Sequence, residues 1–492
     1  MAVSRPDPTP FPLDQLALRG VPNATALAVA EERLTYADLE QLTGQAARAL
    51  IERGLVAGDR VATWMGKTVT ACVMPLAAAR AGLVHVPINP VLKRAQAAHI
   101  LADSGARLLI GNSARLESLE AGDRAEANVV PLEDWAPTGA VLPPSCHDPG
   151  TLAALLYTSG STGTPKGVML SHANLWLGAI SVAHYLGLGP ADRTLCVLPL
   201  AFDYGQSQLL STWAAGGQAI GFDYLLPGDV RKAVRRHDVS VLAGVPPLWN
   251  QLAGLDWSDG SGDSLRTLTN SGGHLPEPLV RQLRSRFPEA KLHLMYGLTE
   301  AFRSSSLDPQ MVDAHPDSVG TAIPFAELRI VRADGSEAEA GEEGELVHSG
   351  PLVAKGYWND PERTAARFRD GEVWSGDRFV KDVDRLLRFR GRDDAMIKVS
   401  GNRLSPFEVE ELAVASGAVN AAAAFGIADD ALGQAVGLIA IAGAPDAEDR
   451  LRRWFAAEAP AYMMPKRIIW LDALPTGATG KVDRALLEAM FR

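Results

Sequence analysis

The segment from Tyr157 to Gly167 constrains this chain more than any other part of it. It follows the apolar run 152–156, which predicts a buried strand. Its hydroxyl side chains, its glycines and Lys166 suit a polyphosphate, because glycines let the backbone approach an anion that hydroxyls, amides and a lysine can bind. The spacing differs from G-x-x-x-x-G-K-[ST], so the segment is not a Walker loop. A Ser/Gly linker is the alternative, but a Pro-Lys-Gly ending is not typical of linkers.

Composition argues against several classes of protein. The chain has 492 residues, which predicts more than one domain. Its net charge of -11 argues against a nucleic-acid partner and does not favour acidic membranes. The cysteines Cys72, Cys146 and Cys196 are too widely spaced to predict a metal site or a disulfide framework. We expect a cytoplasmic protein, because residues 1–12 lack the apolar segment of a signal peptide and no apolar run approaches the length of a membrane span.

The order of patterns along the chain predicts the fold class. Short apolar strands alternate with helical patterns through the first 300 residues or so, which favours parallel sheets covered by helices on both faces. The pattern becomes more β-like from about 324 to 353. We therefore expect an α/β fold with a large N-terminal domain, 1–393, made of layered α/β subdomains and a small β-barrel-like part. A small, mobile α+β C-terminal domain, 394–492, would follow.

Six further segments, together with the loop at 157–167, resemble the adenylate-forming superfamily. This superfamily includes acyl-CoA synthetases, the adenylation domains of non-ribosomal peptide synthetases, and luciferases. The segments occur in the order of the family and cover essentially the whole chain. They are Ser271–His274, Tyr296–Glu300, Ser375–Asp377, Gly391–Lys398, Val399–Glu410 and Pro475–Arg484.

The resemblance implies a role for each part of a nucleotide site. Lys166 and the loop before it would bind the phosphates of ATP, and Glu300 would hold Mg²⁺, which prefers hard oxygen ligands shared with phosphates. Tyr296 would flank the adenine, and Asp377 would bind the ribose hydroxyls. The full set of implied ATP-binding residues is Thr158, Ser159, Gly160, Ser161, Thr162, Gly163, Lys166, Gly272, Gly273, His274, Tyr296, Gly297, Thr299, Asp377, Arg392 and Arg403.

The last segments resemble the moving part of the family's enzymes. Lys481, on a glycine-flanked loop, would enter the site as the catalytic lysine. Asp394 would be the hinge between the domains, although Asp393 beside it leaves the register open by one residue. Gly401 would line the thiol channel after the small domain has turned.

The chemistry that the resemblance implies is a two-step ligation. A carboxylate attacks the α-phosphate of ATP, pyrophosphate leaves, and a thiol then converts the acyl adenylate into a thioester and AMP. Positioning and electrostatic stabilisation are sufficient for the first step, so no covalent nucleophile is needed. Gly477 and Arg385 depart from the family's pattern, but neither removes a charged group that this chemistry needs. The implied catalytic residues are Lys481, Glu300, Thr299 and Lys166.

The acid pocket leaves the substrate open. Phe202-Asp203 resembles amino-acid-adenylating domains, in which the aspartate pairs with the substrate's ammonium group; the alternative is that Asp203 caps the helix that follows. A stand-alone group of exosortase-associated acyl-CoA ligases also carries Phe-Asp-Tyr-Gly. Segments 268–273 and 296–304 of this chain resemble that group more closely than they resemble amino-acid-adenylating domains. The expected pocket residues are Phe202, Asp203, Tyr204, Val245, Ser271, Gly272, Gly297 and Ala301.

The thiol acceptor is open as well. The sequence contains no condensation, carrier or thioesterase segment, so we expect the thiol to come from outside, from coenzyme A or from the phosphopantetheine arm of a separate carrier protein. The substrate can be an amino acid, a β-amino acid, or a fatty or aryl acid. A nucleotide-binding sensor without catalysis is the remaining alternative. The set of charged residues argues against it, namely Lys166, Glu300, Asp377, Arg392 and Lys481.

Overall fold

The computed structural model describes residues 5–159, 165–392, 397–399, 402–429, 433–459, 461–477 and 480–491. It confirms the expected α/β class, with a large N-terminal part and a small C-terminal part. The elements up to residue 186 are β1 (Thr25–Val29), β2 (Glu32–Thr35), α1 (Tyr36–Glu52), β3 (Arg60–Trp64), α2 (Val69–Arg80), β4 (Val84–Ile88), α3 (Arg94–Ser104), β5 (Leu108–Gly111), α4 (Ser113–Leu116), β6 (Asn128–Pro131), β7 (Leu152–Ser159), β8 (Pro165–Ser171) and α5 (His172–Leu186).

A first sheet has the strand order β6-β5-β3-β4-β7-β8 in the described part of the chain. All its pairs are parallel except β7 with β8, which flank the expected phosphate loop as an antiparallel pair. Helix α2 is buried throughout from Ala71 to Arg80, as expected for a helix that is apolar on every side. Helix α1 begins at a capping box made by Thr35 and Asp38.

The second sheet is built mainly from the middle of the chain. Its strand order is β15-β14-β13-β12-β11-β9-β10-β1-β2, and the run from β13 to β1 is parallel. Parallel strands joined through helices place all their carboxyl ends at one edge. The additional elements are β9 (Arg193–Cys196), α6 (Asp203–Ala214), β10 (Gln218–Gly221), α7 (Pro227–Arg236), β11 (Val241–Gly244), α8 (Pro246–Ala253), β12 (Thr267–Asn270), α9 (Glu277–Arg286), β13 (Lys291–Tyr296), β14 (Ser305–Ser306) and β15 (Thr321–Ala322).

A continuous apolar core joins these two sheets. It includes Leu76 of α2, Val168 of β8, Leu175 of α5 and Trp213 of α6, each of which is almost completely buried. Because helices from both layers contribute to one core, the loops at the sheet edges are held in a fixed relation to each other. No helix in the described residues is both long enough and apolar enough to cross a membrane.

The β-rich segment that the sequence predicts forms a third, antiparallel sheet. Its order is β16-β17-β19-β18, and β20 pairs with β19. Ile330, Leu346, Phe379 and Leu387 form its small core. Its elements are β16 (Glu327–Val331), β17 (Glu343–Ser349), α10 (Pro361–Arg367), β18 (Phe368–Arg369), β19 (Glu372–Lys381) and β20 (Leu387–Arg392).

The C-terminal part has a sheet and a core of its own, as expected for a small α+β domain. The strand order is β22-β21-β24-β23, with β25 parallel to β24. Its core includes Val409, Leu438 and Phe455. The expected boundary at 393/394 stays a prediction, because residues 393–396 lie outside the described residues. The elements are β21 (Ile397–Val399), β22 (Asn402–Leu404), α11 (Pro406–Ala415), β23 (Val419–Asp429), β24 (Gly433–Ala442), α12 (Ala447–Glu458), β25 (Pro465–Trp470) and α13 (Arg484–Ala489).

Candidate active site

The candidate site lies where the loops after β9, β11, β12 and β13 meet. These loops follow the carboxyl ends of parallel strands, which is where α/β folds place their ligands. They carry four groups of the predicted residues, namely Phe202–Tyr204, Val245, Ser271–His274 and Tyr296–Ala301. The structure therefore brings together residues that are almost one hundred positions apart in the sequence.

Lys166 and Glu300 form an ion pair inside this site. Lys166 Nζ lies 3.3 Å from Glu300 Oε1. Tyr357, which the sequence analysis missed, connects the two: Lys166 donates to its hydroxyl at 2.7 Å, and that hydroxyl donates to Glu300 Oε1, also at 2.7 Å. Burial alone would raise the pKa of Glu300, but the charge of Lys166 and the hydrogen bond from Tyr357 lower it overall. Glu300 is therefore held as a carboxylate.

Thr158 offers a hydroxyl to the phosphate region. Its Oγ1 is buried and makes no hydrogen bond to any described residue. A buried hydroxyl without a partner costs free energy, so a ligand oxygen would be a favourable partner. The predicted loop residues Gly160, Ser161, Thr162 and Gly163, and the side chain of Ser159, lie outside the described residues, so their roles stay predictions.

Tyr296 and Asp377 meet in the region predicted for the nucleoside. The hydroxyl of Tyr296 donates to Asp377 Oδ2 at 2.5 Å, and Arg392 Nε lies 3.6 Å from Asp377 Oδ1. The Tyr296 ring packs edge-on against Phe379, with its centroid 4.8 Å away. Burial and the neighbouring Asp377 carboxylate raise the pKa of Tyr296, so the tyrosine stays a hydrogen-bond donor. The third sheet therefore supplies the carboxylate beside the predicted adenine face.

Lys481 enters the site from the C-terminal part. A Cβ on Gly272 would lie 2.7 Å from Lys481 Cε, and Gly480 packs near Val245. The backbone of the loop is closed by a hydrogen bond from Gly477 N to Lys481 O of 2.7 Å. Lys481 retains exposed surface, while desolvation of its ammonium group lowers its pKa, against the attraction of Asp203, which raises it. The predicted catalytic lysine is thus placed at the predicted substrate pocket.

A second contact joins the C-terminal part to this site. His274 Nε2 lies 2.9 Å from Glu411 Oε1, and the His274 ring packs edge-on against Phe407 at 4.7 Å between centroids. His274 follows β12, whereas Glu411 and Phe407 belong to α11. These contacts hold the small domain in the orientation that brings Lys481 to Gly272. The predicted hinge Asp394, the thiol-channel residue Gly401 and the side chain of Arg403 lie outside the described residues.

Asp203 faces the site, and the structure does not support the alternative that it is a helix cap. Phe202 is the N-cap residue of α6, and no capping hydrogen bond is made by a side chain there. The Asp203 carboxylate instead accepts a 3.1 Å hydrogen bond from Thr299 Oγ1 through Oδ1. Its Oδ2 lies 3.9 Å from Nη1 of Arg303, a buried residue that the sequence analysis did not single out. The sequence places Arg303 only three residues after the Glu300 motif, which is a weak indication.

The remaining predicted pocket residues surround Asp203. The Tyr204 hydroxyl donates to Thr269 O at 2.9 Å, so this ring is fixed against β12. Val245, Ser271 and Ala301 are buried, and Gly297 packs against the backbone and stem of Arg303. Arg303 thus reaches the pocket because Gly297 has no side chain.

A cavity adjoins the loop that carries Lys481. It has a volume of about 280 Å³ and is lined by His85, Pro199, Tyr224, Val245 and Gly480, among others. Lys67 also lines it, but its Nζ is already paired with Asp223 Oδ1 at 2.7 Å. The cavity therefore connects the catalytic loop with the carboxyl ends of β4 and β9.

Comparison with known families agrees with this geometry. Residues 15–358 match the model of the AMP-binding enzyme family, and residues 408–481 match that of the AMP-binding enzyme C-terminal domain. The chain belongs to the AMP-binding enzyme family. The predicted resemblance to adenylate-forming enzymes is thereby confirmed.

Full-length relatives cover both kinds of thiol acceptor. The chain is 32% identical to an L-proline–[L-prolyl-carrier protein] ligase of Pseudomonas fluorescens, over 96% of this chain and 97% of that one. It is 34% identical to a feruloyl-CoA synthase of an Amycolatopsis species, over 96% of each chain. Among solved structures, ATP-bound MatB of Rhodopseudomonas palustris is similar with a TM-score of 0.90 and 26% identity, over 98% of this chain and 99% of that one. An anthranilate CoA ligase with anthranoyl-AMP has a TM-score of 0.91 and 25% identity, over 98% of each chain.

This AMP-binding enzyme is an acid–thiol ligase. It activates a carboxylic acid with ATP as an acyl adenylate and transfers the acyl group to the thiol of coenzyme A or of a carrier protein. The predicted use of ATP is confirmed by its similarity to ATP-bound relatives.

Proposed function

We propose that this ligase activates an amino acid and that Asp203 binds the ammonium group of the substrate. The main support for this proposal is the position of the Asp203 carboxylate. It accepts a hydrogen bond from Thr299 in the site and makes no capping bond to its own helix. A buried carboxylate needs a cation close by, and a substrate ammonium group satisfies that need. Lys481 approaches from the opposite domain, where the reacting carboxylate of the same substrate would lie.

The geometry supports separate binding roles for these residues at the phosphates and at the ribose of ATP. Lys166, held by Tyr357 and Glu300, would bind the leaving phosphates, and Thr158 would donate its free hydroxyl to them. Asp377, oriented by Tyr296, would accept from the ribose hydroxyls. Charge that develops on phosphate oxygens is stabilised most by donors that are already in place before the reaction.

Mg²⁺ fits this site through a single protein carboxylate. The described residues contain no group of three or more His, Cys, Asp or Glu side chains that could hold a metal by themselves. Glu300, kept ionised by Lys166 and Tyr357, would therefore bind Mg²⁺ together with the phosphates of ATP. The ion would supply charge neutralisation there, and Glu300 would orient it.

We further propose that the acceptor is the phosphopantetheine arm of a separate carrier protein. The cavity of about 280 Å³ beside the Lys481 loop suits a narrow flexible arm. Val91 lines this cavity and is 58% exposed, Leu225 follows the lining residue Tyr224 and is 93% exposed, and Lys67 is already neutralised by Asp223. These exposed apolar side chains favour a protein surface over the phosphates of coenzyme A. The full-length likeness to a prolyl-carrier protein ligase supports the same choice.

A second candidate is a coenzyme A ligase for an acid without an amino group. Arg303 lies 3.9 Å from Asp203, so the carboxylate has a cation in reach even without a substrate ammonium group. The likeness to a feruloyl-CoA synthase favours the same alternative.

We also propose a cytoplasmic location, since Cys72, Cys146 and Cys196 are free thiols, as expected in a reducing compartment.

Substrate-dependent ATP–pyrophosphate exchange distinguishes the two candidates. The panel would contain amino acids, β-amino acids, and short to long fatty and aryl acids, each tested with the wild type, Asp203→Ala and Asp203→Asn. Exchange confined to amino acids and lost in both variants supports the ammonium site. Exchange with plain acids that does not change in Asp203→Ala contradicts it and supports the second candidate. The control is Asp229→Asn, an aspartate in the first turn of helix α7.

A further inference from the structure

Arg303 is a buried cation that the ATP site does not use. Its side chain is 2% exposed. Nη1 donates to Ser271 Oγ at 3.0 Å and lies 3.9 Å from Asp203 Oδ2, while the guanidinium sits 4.6 Å from the centroid of the Tyr204 ring. Its Nε is buried and makes no hydrogen bond within the described residues. Leaving a donor of a buried guanidinium unsatisfied is costly, so its position needs an explanation.

A strained turn aims Arg303 into the pocket. The residue before it, Phe302, has φ 58° and ψ -63°, and Arg303 N donates to Ala301 O at 2.6 Å. This is a γ-turn of the rare positive-φ type, which costs free energy for a residue with a bulky side chain. The turn is held because the Phe302 ring fills the space over Gly178, where a Cβ would lie 2.5 Å from the ring. The fold thus bears backbone strain in order to keep this arginine in place.

Arg303 also lines a small cavity beside Tyr204. The cavity has a volume of about 20 Å³ and lies between α5, α6 and the second sheet, with Tyr204, Thr269 and Met295 in its wall. A space of this size accepts a group about as large as one or two water molecules. It therefore suits the end of a short substrate side chain.

The charges of Asp203 and Arg303 indicate which group the end of the substrate side chain carries. Asp203 and Arg303 together are close to neutral, so an ammonium group bound at Asp203 leaves the positive charge of Arg303 without a counter-charge. A buried cation requires an anion with good hydrogen-bonding geometry, and a guanidinium matches a carboxylate best. We infer that Arg303 is a specificity-determining residue that binds a second carboxylate, and that the substrate is an amino dicarboxylic acid with a short side chain. This inference rests on the proposed ammonium site at Asp203.

The test compares acids with their uncharged amides. Exchange of pyrophosphate would be measured for both enantiomers of aspartate, glutamate, asparagine and glutamine, and for succinate, with the wild type, Arg303→Gln and Arg303→Lys. We expect kcat/KM of the wild type for the acidic substrate to exceed that for its amide by on the order of 100-fold. Arg303→Gln should remove this preference, and Arg303→Lys should restore part of it.

The outcomes separate this inference from the proposed function. Exchange with neutral amino acids that equals or exceeds exchange with the acidic ones overturns the inference and leaves the ammonium site standing. Exchange with succinate but not with aspartate overturns the ammonium site and the inference together. The Kd for ATP, measured by calorimetry, should be the same in Arg303→Gln and the wild type; if ATP binding and all substrates weaken alike, Arg303 has a structural role only and the inference is wrong.

Discussion

The hydroxyl of Tyr357 bridges Lys166 and Glu300, with both hydrogen bonds at 2.7 Å. Tyr357 is buried, and its ring also lies 3.9 Å from Lys166 Nζ. The bridge keeps the ammonium and the carboxylate in one orientation and contributes to the lowered pKa of Glu300. A residue outside every recognised motif therefore organises the two charged groups that are predicted to bind the phosphates and Mg²⁺.

We expect Tyr357→Phe to lower the rate of adenylation. The variant keeps the ring but removes the hydroxyl that accepts from Lys166 and donates to Glu300. Each hydrogen bond to a charged group is worth about 1.5–3 kcal/mol, so we expect kcat/KM to fall by at least roughly 10-fold. ATP–pyrophosphate exchange at varied ATP measures the effect. The control is Tyr36→Phe, because Tyr36 is also buried and donates to a backbone oxygen, Gly217 O, away from the site. Equal effects of the two variants on exchange would show that Tyr357 has no special role.

Lys481→Ala should separate the two half-reactions. Its ammonium group lies at the predicted position of the reacting carboxylate and α-phosphate, so we expect exchange to fall by on the order of 10² to 10⁴. Thioester formation from a separately prepared acyl adenylate should remain within a few-fold of the wild type, if the small domain withdraws the lysine for that step as the family resemblance implies. Lys466→Ala, on the surface of the same domain, is the control. Exchange at the wild-type rate in Lys481→Ala would rule out the catalytic assignment.

Much of the fold follows from local sequence patterns, and the exceptions are elements that depend on distant partners. The strands Arg60–Trp64 and Thr267–Asn270 lie among the alternating elements expected in the first 300 residues, and Glu327–Val331 lies in the expected β-rich stretch from 324 to 353. Strand β6, Asn128–Pro131, is one of these exceptions. It is short and only half-buried, its burial does not alternate along the strand, and within the part of the chain that the structure describes it pairs with β5.

The residues of the site also divide into those that a local sequence pattern indicates and those that depend on a distant partner. Motifs indicate Lys166, Glu300, Asp377 and Lys481 because each combines a charged residue with glycine or hydroxyl neighbours. Tyr357 follows Lys355 and Gly356, but its own side chain is uncharged, so this combination does not single it out. It reaches the site because its segment pairs with β8, through hydrogen bonds from Trp358 N to Gly167 O of 2.8 Å and from Lys355 N to Met169 O of 2.9 Å. A pairing across nearly two hundred residues leaves no local pattern, so only the structure reveals this tyrosine.

The pH dependence of adenylation should report the lowered pKa of Lys481. Desolvation disfavours the charged ammonium group, so it loses its proton at a lower pH than an ordinary lysine, whose pKa is about 10.4. Because the charged form is the active one, kcat/KM for ATP should decline on the alkaline side below that value. The measurement is the pH profile of kcat/KM in the exchange assay, which reports the free enzyme.

Lys481→Arg is the matched variant for this profile. A guanidinium stays protonated throughout the accessible pH range, so the alkaline decline should move upward or disappear even if the rate is lower. A decline at the same pH in both proteins would assign it to another group, and the lowered pKa of Lys481 would then not control the rate.

Gly272→Ala should impair adenylation through Lys481. Gly272 has φ 78°, where an L-residue costs roughly 1–2 kcal/mol, and the new Cβ would lie 2.7 Å from Lys481 Cε. The lysine stem must therefore move, and we expect exchange to fall by at least about 10-fold. Thioester formation from a supplied adenylate should fall much less, since the resemblance implies that Lys481 has left the site for that step. The control is Gly228→Ala, where a Cβ meets no atom within 4 Å. A parallel loss in both half-reactions would mean that the substitution damages the substrate pocket itself and not the approach of the lysine.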